Sequence, residues 1–395
     1  MQKATREQTR SHNKRLILKM IYQEGEISRA DIARATGLTR TTVSHIVAEL
    51  IEEDLVEETG RGPSEGGKPP VLLSMPAQAR YMIGIDLADS EFRGGLIDLR
   101  GIILERTTIP VDDHNGTEAV NLVYDLIASL MEKVDGPILG IGVGTPGLVD
   151  ARDGVVRQSV NLDWQDLPLG DLLRARFDVP IHVGNDSHCA ALGQFTFGRQ
   201  RGLSNLIVVK VGRGIGSGIV LNGRLLYGDH SAAGEIGHVR AVENGIQCRC
   251  GHFGCLETVA STRSVVNHAR QIAANNPQAA INDLVESPAD INTTMVLRAV
   301  QSGDNEMSRL ITDAGYHLGI AIAHLVGALN IEQIVVAGSM ARFGSPLLAA
   351  INDALRPRAM DQMVSQTQVE LSDLGQDIVM LGAASLVLSS ELGVV

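Results

Sequence analysis

The apolar positions of the first sixty residues repeat at helical spacing. Leu16, Ile17, Met20 and Ile21 mark one helix face, and Gly25 ends the run. Ser28 stands at an N-cap position with Asp31 three residues on, a short form of the capping box, and Ile32 and Ala33 then turn inward. Gly37 permits a tight turn. Thr39 caps a third helix whose buried stripe is Val43, Ile46, Val47 and Leu50, which leaves Arg40, Thr41, Thr42, Ser44 and His45 on or near the free face. The pattern predicts three helices over 11–59. The last two form a helix-turn-helix, whose second helix enters the major groove. Leu55-Val56-Glu57-Glu58 and Val71-Leu72-Leu73 flank the turn-rich GRGPSEGGKPP of 60–70, which predicts two short strands around a wing.

From Tyr81 the pattern changes to strands. YMIGIDLAD, EFRGGLIDL and GIILERTTIPV read as three short strands, followed by a helix over 117–133 and a buried strand over 138–144. A second series begins at Ile181 with IHVGND, a helix over 187–197, then LIVVKVGR and GSGIVLNGRLLYG. Late in the chain come a long helix over 306–329, a strand over 333–337 and a last apolar helix near 378–392. Two strand-rich halves with interleaved helices predict an α/β body of two lobes with a cleft.

Charge separates the two parts. The whole chain carries −12, which argues against a protein that coats nucleic acid along its length. Residues 1–47 hold nine Lys/Arg against four Asp/Glu, whereas 76–395 hold 23 against 35. A basic head on an acidic body fits local DNA contact. The candidate contacts are Ser28, Arg29, Thr39, Arg40, Thr41, Thr42, Ser44 and His45 on the helices. Small hydroxyls and an arginine there suit base edges and phosphates. Arg61 and Lys68 on the wing would reach backbone phosphates or the minor groove. A plain three-helix bundle with a polar surface is the alternative. The N-terminus is polar, and the longest apolar stretch, 318–331, contains His324 and Asn330 and is too short to span a membrane. The expected compartment is a reducing cytoplasm, without membrane insertion.

The densest chemistry lies in 234–257, GEIGHVRAVENGIQCRCGHFGCLE. Cys248, Cys250 and Cys255 fall within eight positions, and His238 precedes the first by ten. One His and three Cys make a full tetrahedral ligand set for zinc. Glu235 and Glu257 flank that set. Carboxylates near a neutral imidazole are good hydroxyl acceptors, so the segment reads as a metal-braced polyol site. Reduced core thiols and solvated surface acids are the bland alternatives.

The segments GVGTPGLVD (142–150), NLDW (161–164), GND (184–186), GRGIGSG (212–218), GEIGH (234–238) and CRCGHFGCLE (248–257) together resemble the ROK family of repressors, open reading frames and sugar kinases. The resemblance covers nearly the whole chain. The winged helix before residue 80 resembles the repressor branch, with its glucose-, xylose- and N-acetylglucosamine-type sugar repressors. The resemblance implies a two-lobed actin-like ATPase (ribonuclease H-like) fold over 76–395, with a zinc-binding segment at 238–255. An α+β winged helix-turn-helix domain over 1–75 precedes it. It implies sugar contacts from Asn185, Asp186, Glu235, His238 and Glu257, and a structural zinc on His238, Cys248, Cys250 and Cys255. One ring nitrogen of His238 would face the metal and the other a sugar hydroxyl.

Asp186 stands where family kinases keep their base. Those kinases carry Asp-x-Gly-Gly-Thr in the first hairpin. Here the stretch is Asp86-Leu87-Ala88-Asp89-Ser90, which lacks both glycines and adds a negative charge where a triphosphate would lie. Their second loop, Gly-Thr-Gly-x-Gly, is Gly212-Arg213-Gly214-Ile215-Gly216 here. The resulting expectation is a sugar-responsive transcriptional regulator, a repressor, that is not an enzyme. Its partners would be operator DNA, a monosaccharide effector and its own copies in a homodimer or homotetramer, because operators pair two half-sites. The alternative is an ATP-dependent sugar kinase of the same family with an accessory DNA-binding head.

Overall fold

The computed structural model describes residues 5–63, 69–88, 90–112, 114–200 and 202–395. The head is built from α1 (Arg6–Glu24), β1 (Ile27–Ser28), α2 (Arg29–Thr36), α3 (Arg40–Glu52), β2 (Glu57–Arg61) and β3 (Val71–Ser74). Gly37 ends α2 at φ 70°, a left-handed conformation that glycine adopts without steric cost. Thr39 caps α3 through the Thr42 amide, and Val43, Ile46, Val47 and Leu50 are all buried. The three strands pair in the order β1-β3-β2, which makes the wing a real sheet.

The first lobe runs through β4 (Tyr81–Leu87), β5 (Glu91–Asp98), β6 (Ile103–Pro110), α4 (Gly116–Met131), β7 (Ile138–Thr145), β8 (Leu148–Asp150), β9 (Val155–Ser159), β10 (Trp164–Leu167), α5 (Leu169–Arg174) and β11 (Ile181–Asn185). The second holds α6 (Asp186–Phe197), β12 (Leu206–Val211), β13 (Ile215–Leu221), β14 (Arg224–Leu225), α7 (Glu257–Ala260), α8 (Thr262–Asn275), α9 (Thr293–Gln301), α10 (Asn305–Leu329), β15 (Gln333–Ala337), α11 (Ser345–Leu355), α12 (Asp361–Val364) and β16 (Gln368–Leu371). The chain ends in α13 (Ile378–Val387), which continues into a π-helical turn, Leu388–Leu392.

Each lobe centres on a five-stranded sheet, in the orders β11-β7-β4-β5-β6 and β14-β13-β12-β15-β16. In both, three strands meander antiparallel and two more add in parallel on the other side of the first strand. That repeated topology is the actin-like ATPase fold. No helix among the described residues is long and apolar enough to cross a membrane.

Helices α6 and α13 cross each other closely where the lobes meet. A Cβ on Gly382 would run into the Cys189 carbonyl oxygen, and one on Gly142 into the Ala383 carbonyl oxygen. The contact is therefore backbone on backbone. Gly382→Val is expected to cost about 3 kcal/mol, because the clash is with main chain that has nowhere to move. Urea unfolding reads this directly, and an unchanged midpoint would refute the close packing.

The same C-terminal segment carries the head. Ile17, Leu18 and Ile21 of α1 share one apolar cluster with Met380, Leu381, Ala384, Leu388 and Leu392. Arg15 donates to the Ser390 carbonyl (3.2 Å), Tyr22 to the Leu99 carbonyl (2.8 Å), and Arg100 to the Tyr22 carbonyl (2.6 Å) while stacking on its ring.

Candidate functional site

On the head, Arg40, Thr41, Ser44 and His45 are exposed along α3, with Thr42 half-buried and Thr39 exposed at its start. Arg61 is exposed on β2, and Lys68 lies outside the described residues. His45 Nδ1 lies 2.6 Å from Glu49 Oε1, to which Arg10 also donates at 2.6 Å. The Arg10 hydrogen bond holds the Glu49 carboxyl below its ordinary range.

Two of the expected contacts are already engaged within the head. Ser28 is 2% exposed. Its hydroxyl donates to Asp31 Oδ2 (2.6 Å) and accepts from the Asp31 amide (3.2 Å), because the first turn of α2 needs an acceptor. Arg29 is held against the wing strand by Glu58 (2.9 Å). Ser28 braces the head from within, while Arg29 keeps a partly exposed side chain beside the wing.

The second candidate is a cleft of about 880 Å³ between the lobes, within the usual range for small-molecule sites. Asn185, Asp186, Glu235, His238 and Glu257 all line it, so residues far apart in sequence converge as expected. Asn185 is 7% exposed, and its side chain is largely committed. Its Oδ1 accepts from the Ser187 (2.9 Å) and His188 (3.1 Å) amides to cap α6, and its Nδ2 donates to the Gly147 carbonyl (2.9 Å). One amide N–H remains for a ligand.

Asp186 opens α6 and accepts from Lys210 Nζ at 2.6 Å and from Ser187 Oγ at 3.2 Å. Glu257 Oε2 accepts from the Ile215 amide (3.2 Å). Burial in the cleft, with Asp186 and Glu257 adding repulsion, pushes the Glu235 carboxyl up to about 7.

His238, Cys248, Cys250 and Cys255 bring one ligand atom each within 4.8 Å of the others. Cys248 Sγ lies 3.6 Å from His238 Nδ1, and Cys250 Sγ lies 3.6 Å from Cys255 Sγ. Tetrahedral coordination at metal–sulfur bonds of about 2.3 Å gives edges of that size, so the cluster fits a metal ion. Burial pushes the Cys255 thiol up to about 12, the opposite of what a thiolate ligand needs until a cation offsets it. His238 Nε2 faces Glu235 (4.0 Å) on the cleft side, and Nδ1 faces the cluster.

In the first hairpin, Asp86 pairs with Arg93 across β4 and β5. Arg93 Nη2 donates to Asp86 Oδ2 at 3.0 Å. Asp89 lies outside the described residues. Burial raises the Asp86 carboxyl from 3.8 to about 6, with Arg93 and Lys210 pulling the other way. A carboxyl whose folded value exceeds its unfolded one adds stability at low pH and loses it as pH rises through the folded value. The chain is therefore expected to lose up to about 3 kcal/mol between about pH 4 and pH 6 at this site. Asp86→Asn should lack that component, and identical pH slopes in urea unfolding would refute it.

In the second loop, a Cβ on Gly214 would crowd Glu257 Oε2, one on Gly216 would meet Ser187 Oγ, and one on Gly218 would meet Ala191. Close packing on α6 and Glu257 accounts for these glycines.

The sequence reading missed three cleft features. Lys210 on Asp186 is one and Arg93 on Asp86 another. The third is Arg249, which sits between two cysteines of the cluster and reaches across to Asn161 Oδ1, where Arg263 also donates at 3.3 Å. A lone lysine inside the apolar run LIVVKV was the readable signal for the first.

A family model described as the ROK family matches residues 82–390, and one described as winged helix-turn-helix DNA-binding matches residues 10–57. The chain is 31% identical over 384 residues to the xylose repressor of Caldicellulosiruptor bescii, covering 96% of each. It is 31% identical over 317 residues to the glucokinase of Halalkalibacterium halodurans, covering 79% of this chain and 96% of that one. Among solved structures it resembles a ROK family transcriptional regulator described as a homologue of the E. coli MLC protein. There the TM-score is 0.85 and the identity 26%, with 98% of each chain covered.

Proposed function

Because the chain belongs to the ROK family, we propose that it is a sugar-responsive transcriptional repressor that binds operator DNA through α3 and the wing, and a monosaccharide in the cleft. The observation that carries this reading is the packing of α13. One part of this helix lies against α6, whose first residue is Asp186, and its end shares a core with α1 of the head. A change in how the lobes sit around a sugar therefore bears on the head through packed side chains. For the response to exist, the sugar must bind the DNA-competent and DNA-incompetent states with different affinity. Two heads in a dimer or tetramer would engage two half-sites, and lobe motion would alter their spacing.

In this reading Asp186, Glu235 and Glu257 accept sugar hydroxyls, and His238 Nε2 and the remaining Asn185 N–H complete the set. His238, Cys248, Cys250 and Cys255 hold zinc. The ion would fix the tautomer and orientation of His238 and hold the loop that carries Arg249. Arg40, Thr41, Thr42 and Ser44 would meet base edges and phosphates, with Thr39 at the helix start. Arg61 and Lys68 would meet the backbone from the wing.

We further infer that the cleft does not phosphorylate its sugar. The Asp86 carboxylate is engaged by Arg93, the glycines of a phosphate hairpin are replaced, and Asp186 is engaged by Lys210. The match to a glucokinase makes the kinase reading the one to exclude. A coupled ATP-consumption assay with hexoses, pentoses and amino sugars should register no turnover above background. Robust turnover that disappears in Asp186→Asn would overturn the reading.

A further inference from the structure

Two carboxylates reach the floor of the cleft from different parts of the chain. Asp86 comes from β4, the central strand of the first lobe, and Asp186 is the first residue of α6. Each meets one basic side chain, Arg93 at 3.0 Å on Asp86 and Lys210 at 2.6 Å on Asp186. Lys210 belongs to β12, in the sheet of the second lobe. Its charge also acts on Asp86, which Asp186 in turn repels. All four side chains are at most a quarter exposed, from 5% for Asp86 to 24% for Arg93. Charges so far from water need partners, and breaking such a pair is far costlier than replacing it whole. Asp86 and Asp186 thus each have a basic partner, and Arg93 is shared with Glu91 at 3.8 Å.

The fold alone does not ask for a lysine there. Its strand neighbours Val208, Val209 and Val211 are fully buried apolar residues. A lysine in such a run forfeits apolar contact and has to be kept ionised by its surroundings. Divalent cations are the other common way to hold two carboxylates together in a cleft. A lysine ammonium and a divalent ion would compete for the same oxygens.

We propose that Lys210 is a resident counter-ion: supplied by the second lobe, it neutralises the Asp86–Asp186 pair and fixes Asp186 as a hydroxyl acceptor in place of a divalent cation. Lys210 is thus a positioning residue of the effector site, and its charge also acts on Asp86 of the first lobe. Only the role of Asp186 toward a hydroxyl rests on the sugar-responsive reading. The ionic part is tested without any sugar.

The test compares thermal unfolding of the full chain in millimolar MgCl2 and in NaCl of equal ionic strength, for wild type, Lys210→Gln, Lys210→Arg and the Lys210→Gln/Asp186→Asn double variant. The wild type and Lys210→Arg should be indifferent to the choice of salt. Lys210→Gln should melt several degrees lower and recover at least half of that loss in MgCl2 alone. The double variant should lose the magnesium effect. A Lys210→Gln chain that folds and ignores magnesium would overturn the proposal, as would a wild type that magnesium stabilises equally. If Lys210→Gln does not fold, the wild type and Lys210→Arg carry the test, and a magnesium-dependent rise in either overturns it. Titration of the same proteins with D-xylose, D-glucose and N-acetyl-D-glucosamine separates the two claims. A wild type that no sugar stabilises counts against the sugar reading and leaves the magnesium result standing.

Discussion

Cys250→Ser is expected to take metal from about one ion per chain to nearly none and to weaken the sugar response at least about tenfold. Serine keeps nearly the same volume, so the packing of the loop is preserved while one ligand is lost. Cys250 Sγ sits 3.6 Å from Cys255 Sγ and is the exposed cysteine of the set, so its replacement opens the coordination shell from the solvent side. Without the ion, the Cys255 thiol, pushed up to about 12 by burial, stays protonated, and His238 loses the contact that orients its ring. The effect then passes to the cleft by two routes, through His238 Nε2 beside Glu235 and through Arg249 to Asn161. Cys189→Ser is the control, because Cys189 is buried in α6 and is not one of the four clustered ligands. Metal analysis together with a thermal-shift titration decides the matter, since a ligand that binds only the folded state raises its apparent stability. Equal zinc content in wild type and Cys250→Ser would exclude Cys250 as a ligand.

Arg40→Ala should weaken operator binding about tenfold to a hundredfold, and should lower the slope of log affinity against log salt by about one if the lost contact is to a phosphate. Arg40 is the first residue of α3 and is exposed. In a helix-turn-helix the start of the second helix is the part that meets base edges. The Thr39 cap and the buried stripe hold the helix without it, so the variant should fold as the wild type does. His45→Ala should have a smaller effect, because its imidazole is already engaged by Glu49. Fluorescence anisotropy over a range of salt concentrations measures both quantities. Unchanged affinity and slope would mean that α3 does not face DNA as placed.

How legible this was from sequence varies with the kind of contact. The stripe Val43, Ile46, Val47 and Leu50 could be read because a surface helix buries one face at a fixed period. On α1 the reading slipped by a position. Leu18 is buried and Leu16 only half-buried, because α1 must cover both the head's own helices and the end of α13. The N-cap role of Ser28 was readable, and it already implied that the hydroxyl was not free for DNA. The small sheet β8–β10 and helices α8, α9 and α11 were not anticipated, since short apolar runs do not separate helix from strand. The His238–Cys248–Cys250–Cys255 cluster was legible because its three cysteines crowd into one loop. The pair Lys210–Asp186 and the reach of Arg249 to Asn161 were not, because they join residues that only the closed sheets and crossing helices bring together, and Arg93–Asp86 depended on the register of the first hairpin.

The central claim is that sugar in the cleft governs the head's grip on DNA. The direct measurement is anisotropy of a labelled operator fragment, bound to the full chain at fixed salt and titrated with xylose, glucose, N-acetylglucosamine and their phosphates. The account predicts that one of these releases the DNA, with loss of that release in Glu235→Gln and His238→Ala while their affinity for DNA without sugar stays as in the wild type. DNA affinity that no sugar changes, in a protein that demonstrably binds one of them, would contradict it.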